Sequence, residues 1–251
     1  MRIMINLLAV ALVLAAQAAV SAEQQPLVEF AGSQRNIFET GKADGVVPVA
    51  AMSGNQARYG VGAFEGLDGE ITVFEGRPYV TRVRDNRVLM DSSGEGQAIF
   101  AVWTSNTDWR DVPIPESVQT YLDLQNFIAA SASAAGLDTA EAFPFLLTGT
   151  AAQITWHINV DRSEGRPINN DIFAQSKDSF VMSGQPVDIV GFYSEQHPGV
   201  FISTYAPAIT EAGTRNTIHI HVVSQDGLLA GHIDDLQLSG GMTLRLPHAT
   251  E

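Results

Sequence analysis

Through most of the chain, apolar and polar residues alternate with the period of two that a half-buried β-strand requires. Between Arg58 and Val83, Tyr59, Val61 and Ala63 alternate, Leu67-Asp68-Gly69 turns, Ile71 and Val73 alternate, Glu75-Gly76 turns again, and Tyr79-Val80 resumes. This reads as a meander of short antiparallel strands. QAIFAVWTS at 97–105 reads as a more deeply buried strand, and LVEFAG near residue 30 as a short one. After Pro113 and Pro115 the period changes. Apolar residues at 118, 121, 122 and 128, an acid in the first turn and Gly136 at the end predict a helix from about 116 to 135. A second, short helix is expected from Thr139 to Leu147. Strands then return in QITWHINVD, SFVMSG, VDIVGFYS, VFISTYAP, NTIHIHVVS, LAGHIDDLQLS and MTLRLP. No unit of roughly 20–50 residues recurs, which excludes solenoids and propellers. Runs of strands flanking one or two helices give an α+β class built on mixed or antiparallel sheets.

The first 22 residues break this pattern. MRIMINLLAVALVLAAQAAVSA carries one charge, Arg2, then an apolar run, then Val20-Ser21-Ala22 before Glu23. This is the form of a secretory signal peptide cleaved near Ala22, and it predicts a periplasmic or secreted protein. The run is too short and alanine-rich for a retained anchor, and no cysteine follows it to accept a lipid. Residues 23–251 are enough for one substantial core, expected as two sheet-based halves, 23–150 and 151–251.

Composition narrows the partners. The chain has a net charge of −14, so phosphate backbones and anionic lipid surfaces repel it; neither nucleic acid nor membrane is an expected partner. An anionic small molecule is still admissible if a local positive site, such as a bound dication, receives it. Cysteine is absent, which removes disulfides and thiolate metal ligands. Any metal must sit on nitrogen and oxygen.

Candidate chemistry concentrates in TIHIHVVSQDGLLAGHIDD at 217–235. On a strand, His219 and His221 project from one face. A turn at Gln225-Asp226-Gly227 and a return strand would bring His232 beside them. A His-x-His pair alone is compatible with two ordinary strand histidines. A third at hairpin spacing makes a nitrogen set with an open position, the arrangement of a catalytic zinc site.

With these segments in view, the chain resembles the α-acetolactate decarboxylases. The likeness is carried by GVGAFEGLDGEITVFEGRPY at 60–79, QAIFAVWT at 97–104, DIVGF at 188–192 and, most specifically, TIHIHVVSQDGLLAGHIDD at 217–235. The resemblance implies a two-part fold whose sheets continue into a partly closed barrel, zinc on His219, His221 and His232, a homodimer, and decarboxylation of 2-acetolactate, a small hydroxy-keto acid, to acetoin. It also implies that Glu70, in LDGE, is the active-site acid. Glu65, before the turn, suits a solvated surface acid better.

Two departures from the family pattern stand out. The resemblance implies an arginine on the QITWHINVD strand, where this chain has Asn159, which donates hydrogen bonds but carries no charge. His157 would share the face of Asn159. Arg215 would face the metal if the His219 strand extended backwards. The family's longer tail contributes a further glutamate, whereas this sequence stops 19 residues after His232, with Glu251 as the available stand-in. Besides the decarboxylase, two readings stay open: another metal-assisted lyase or isomerase of a hydroxy-keto compound, and a non-enzymatic zinc- or ligand-binding relative.

Overall fold

The structure, a computed structural model, describes residues 27–204 and 213–249. The first part of the chain builds one sheet from β1 (Glu29–Gly32), β2 (Val47–Pro48), β3 (Arg58–Phe64), β4 (Glu70–Phe74), β5 (Arg77–Arg84), β6 (Arg87–Asp91) and β7 (Gln97–Ser105), with helix α1 (Gln34–Thr40) after β1. Its strand order is β1-β7-β3-β4-β5-β6, with β2 also paired to β7. The remainder builds a second sheet from β8 (Trp109–Pro113), β9 (Phe143–Thr150), β10 (Gln153–Asn159), β11 (Lys177–Ser183), β12 (Pro186–Tyr193), β13 (Ile218–Ser224), β14 (Ala230–Gln237) and β15 (Thr243–Pro247), in the order β11-β10-β14-β13-β12-β9-β15-β8. Helix α2 (Tyr121–Ala134) lies between β8 and β9, and α3 (Asn170–Gln175) precedes β11.

Every strand ladder is antiparallel, and the α+β class expected from the alternation holds. The sheets pack on one another and stay open at their edges rather than closing into a barrel. The change of sheet falls between Ser105 and Trp109, so the expected division at 150/151 lies inside the second sheet, between β9 and β10. The leader at 1–22 and Glu251 lie outside the described residues.

Alternation on β13 decides what lies where. Ile218, Ile220 and Val222 join one core with Leu124, Ile128 and Ala132 of α2. Val223, on the other face, packs with Tyr79 of the first sheet and Ala230. His219 and His221 share the face of Val223 and therefore look towards the first sheet. The same parity holds on the neighbouring strands: Trp156, Ile158 and Ile233 join the α2 core, while Ile71 and Val73 of β4 face away from the second sheet into a separate cluster. Glu70 and Thr72 of β4, His157 and Asn159 of β10, and His232 and Asp234 of β14 are thus left on the faces between the sheets.

Helix α2 starts five residues later than expected from about 116, at Tyr121, because Thr120 and Asp123 form a reciprocal capping box. The helix expected from Thr139 to Leu147 is not formed. Phe143 to Leu147 is instead the start of β9, a central strand between β12 and β15. A short apolar run has no period that separates helix from strand, and Pro144 disfavours the helix interior. The strand expected in VFISTYAP is a turn closed by an isolated Pro198–Ile202 bridge as far as Thr204, and its remainder lies outside the described residues.

Gly231, immediately before His232, lets β14 lie close to β10. A Cβ there would be 2.6 Å from the His157 carbonyl oxygen and 2.7 Å from the Trp156 ring. Gly231→Ala is expected to cost about 1–3 kcal/mol of stability in urea unfolding, since these neighbours are backbone and a packed indole that cannot give way cheaply.

Candidate metal centre

The β13–β14 hairpin sets the geometry of the histidines. Its turn is held by the Ser224 hydroxyl, which donates to Asp226 Oδ1 at 2.6 Å, and by the Leu228 N–H, which donates to the same oxygen at 3.0 Å. The return strand puts His232 directly across from His221. Ring centroids lie 5.0 Å apart for His219 and His221, 4.9 Å for His219 and His232, and 5.3 Å for His221 and His232.

A divalent ion held tetrahedrally at about 2.0–2.1 Å from imidazole nitrogens needs those nitrogens roughly 3.3 Å apart. Nε2 of His219 and Nε2 of His221 are 3.2 Å apart, and the donor atoms of all three histidines lie within 4.8 Å of one another. Burial pushes all three imidazoles below their usual pKa, His219 to about 4 and the other two well below 6.5. They are therefore neutral near pH 7, the form that ligates. The Thr72 hydroxyl lies 3.0 Å from Nδ1 of His221, leaving Nε2 to point at the other imidazoles. This donor set fits a borderline divalent metal with an open coordination position.

Glu70 stands beside this cluster. Its oxygens lie 3.7 Å from Nε2 of His221 and 3.8 Å from Nε2 of His157. The strand reaches it through Gly69, at φ 140, where a Cβ would be 2.3 Å from the Thr81 carbonyl oxygen; no other residue lets β5 approach so closely there. Burial, then the charge of Asp234, raises the Glu70 pKa well above the usual carboxylate range. The backbone N–H of Asn159 donates to its carboxyl group and pulls the other way. Glu70 is thus a buried carboxylic acid next to three neutral imidazoles.

A second row leads outwards. Nδ1 of His157 is 2.9 Å from Asp234 Oδ2, and Lys177 Nζ is 3.3 Å from Asp234 Oδ1. Burial alone would raise Asp234, but the hydrogen bond and charge of His157 hold it far below the usual range.

The residues expected from the sequence do not all meet. His219, His221, His232, Glu70 and His157 come together, and Asn159 joins them through its main chain. Arg215 is exposed on the segment before β13, which begins only at Ile218; its carbonyl accepts a hydrogen bond from Gln125 Nε2 at 3.1 Å. Glu65 sits in the 3₁₀ turn before β4, where it accepts a hydrogen bond from the Gln97 N–H at 3.2 Å. Sequence reasoning missed Thr72, Asp234 and Lys177. The first two had a signal, since each is two residues along a strand from a named site residue. Lys177 had none, because only the β10–β11 register places it opposite Asn159.

Fold and site together define a two-sheet α+β protein with three convergent imidazoles, a donor set that could hold a metal ion, between its sheets. The profile of the alpha-acetolactate decarboxylase family matches residues 30–250, and the chain belongs to that family. No curated protein matches it in sequence. Among solved structures, it is similar in fold to alpha-acetolactate decarboxylase from Bacillus subtilis strain 168, at 17% identity and a TM-score of 0.64, covering 88% of this chain and 86% of that one. It is similarly close to a Staphylococcus aureus protein of unknown function described as similar to alpha-acetolactate decarboxylase, at 15% identity and a TM-score of 0.64, covering 87% of this chain and 84% of that one.

Thr72→Val preserves the side-chain volume and removes the hydroxyl beside His221. It is expected to weaken divalent metal binding roughly 10- to 100-fold, read by competition with a chromophoric chelator.

Proposed function

We propose that the protein is a zinc-dependent decarboxylase that converts 2-acetolactate, or a closely related 2-hydroxy-3-oxo acid, to acetoin and carbon dioxide. The observation that carries this reading is Glu70: a buried carboxylic acid with a raised pKa, 3.7 Å from a nitrogen of the histidine cluster. Membership of the family supports the reaction class.

In this reaction the bond between the carboxylate carbon and C2 breaks, and its electron pair moves into an enediolate. One proton is then delivered to carbon, so the anion and a proton become a neutral hydroxy-ketone and carbon dioxide. The barrier is largely the cost of the negative charge that develops on oxygen. His219, His221 and His232 would hold the zinc, which would supply Lewis acidity to stabilise the negative charge that develops on oxygen. Glu70 is the group placed to deliver the proton that the carbanionic carbon needs, and burial raises its affinity for that proton. The Asn159 N–H orients the Glu70 carboxyl, while Thr72 orients His221. Val223 and Ala230, on the histidine face of the hairpin, pack with Tyr79 of the first sheet.

Glu70→Gln is close to isosteric with the protonated acid but cannot give up its proton. It is expected to reduce acetoin formation from racemic acetolactate by about 10²- to 10⁴-fold. Zinc content, read by atomic emission, should stay at the wild-type level. Zinc-loaded wild-type protein that leaves acetolactate at its spontaneous rate would sink the proposal.

We further propose that the protein works outside the cytoplasm. The leader pattern at 1–22 supports this reading. Expression of the full chain in a bacterium should release a form whose intact mass corresponds to a start at Glu23, recovered in the periplasmic or culture fraction. A full-length cytoplasmic product would count against export.

A further inference from the structure

The proposed substrate is an anion, and the chain that must receive it has a net charge of −14. Asp234 repels a carboxylate, and Lys177, whose Nζ lies 3.3 Å from Asp234 Oδ1, is the cation set beside it. Side-chain exposure falls from Lys177 (37%) through Asp234 (27%) and His157 (12%) to Glu70 (4%), so these residues run from the surface inwards to the histidine cluster. Lys177 is directly across the β10–β11 ladder from Asn159, whose main chain meets Glu70. Arg162 is paired with Asp178, and Arg82 and Arg84 with Asp68.

We infer that Lys177 is the residue that holds the substrate's carboxylate at the mouth of the site, with Asp234 and His157 positioning its ammonium group. The inference rests on the proposed reaction for the identity of its ligand. An ammonium group has three donors; Asp234 takes one, which leaves two for a carboxylate. A single ammonium also suits a group that must leave as carbon dioxide. The carboxylate loses its charge in the transition state, so a tighter clamp would stabilise the ground state more than the transition state. Lys177 therefore contributes substrate binding rather than the bond-breaking step.

The test compares two probes on the zinc-loaded full protein by titration calorimetry: 2-hydroxy-2-methylbutanoate, which keeps the hydroxyl and carboxylate, and neutral acetoin, which keeps the hydroxyl and ketone. Lys177→Met is expected to weaken the hydroxy acid roughly 10- to 100-fold and leave acetoin within about twofold, with Lys177→Arg recovering most of the loss. With acetolactate as substrate, KM should rise by a similar factor while kcat stays level or increases slightly. A merely structural lysine would instead weaken both probes and lower kcat. The inference is overturned if Lys177→Met binds the hydroxy acid as wild type does, if it loses both probes equally, or if the wild type has no affinity for the anion. A wild type that binds the hydroxy acid through Lys177 but does not decarboxylate acetolactate would overturn the proposed reaction and leave the lysine's role standing.

Discussion

The desolvation of one carboxyl and three imidazoles between two β-sheets governs how the surrounding residues are arranged. A buried polar group without a partner costs about 1–3 kcal/mol, and a buried charge costs more. Burial favours the neutral form of all four groups: it lowers the pKa of His219, His221 and His232 and raises that of Glu70. Thr72 then serves His221, and the Asn159 N–H serves Glu70. The opposite faces of the same strands carry Ile218, Ile220 and Val222 against α2, so the strand that bears two of the histidines is packed on both sides. Its side chains have little room to turn away from one another.

Two carboxyl groups close to the same histidines are driven in opposite directions. Asp234 lies nearer solvent, accepts the hydrogen bond of His157 and faces Lys177, so it stays ionised. Glu70 lies deeper, with the negative charge of Asp234 close enough to raise its pKa further. Their divergence separates the roles: one is a fixed charge that orients its neighbours, the other an acid that can give up a proton. His157 stands between them, 2.9 Å from one and 3.8 Å from the other.

The legible parts of the site were those encoded within one strand or one hairpin. His219 and His221 share a face by strand period, and a short turn fixes His232 opposite His221, so local spacing suffices to bring them together. Thr72 and Asp234 follow the same rule from Glu70 and His232. What spacing does not encode is which sheet faces which. Glu70 reaches the histidines only because β4 packs on β13 and β14, a contact between residues about 150 positions apart, and its part was read from family likeness rather than from its surroundings. Lys177 depends on the register of β11 against β10, set by a connection that includes α3. Local period failed in the fold where a run was apolar throughout, as at Phe143 to Leu147, and where the alternation at 200–204 was not met by a partner strand.

Charge balance reconciles the acidity of the chain with an anionic substrate. At physiological salt, charges beyond about 8 Å in solvent are largely screened, so the surface that gives the net −14 has little say inside the cleft. Lys177 lies 3.3 Å from Asp234 and offsets it, while burial favours the protonated form of Glu70 and the neutral form of the three clustered imidazoles. A dication held by those imidazoles would make the site positive, and a buried positive site stabilises an oxyanion far more than water does. In the proposed reaction, protonating any of the three histidines would remove a ligand, and ionising Glu70 would set a negative charge beside the developing oxyanion. The depth at which β4, β13 and β14 place these four side chains is therefore part of the chemistry and not only of the packing.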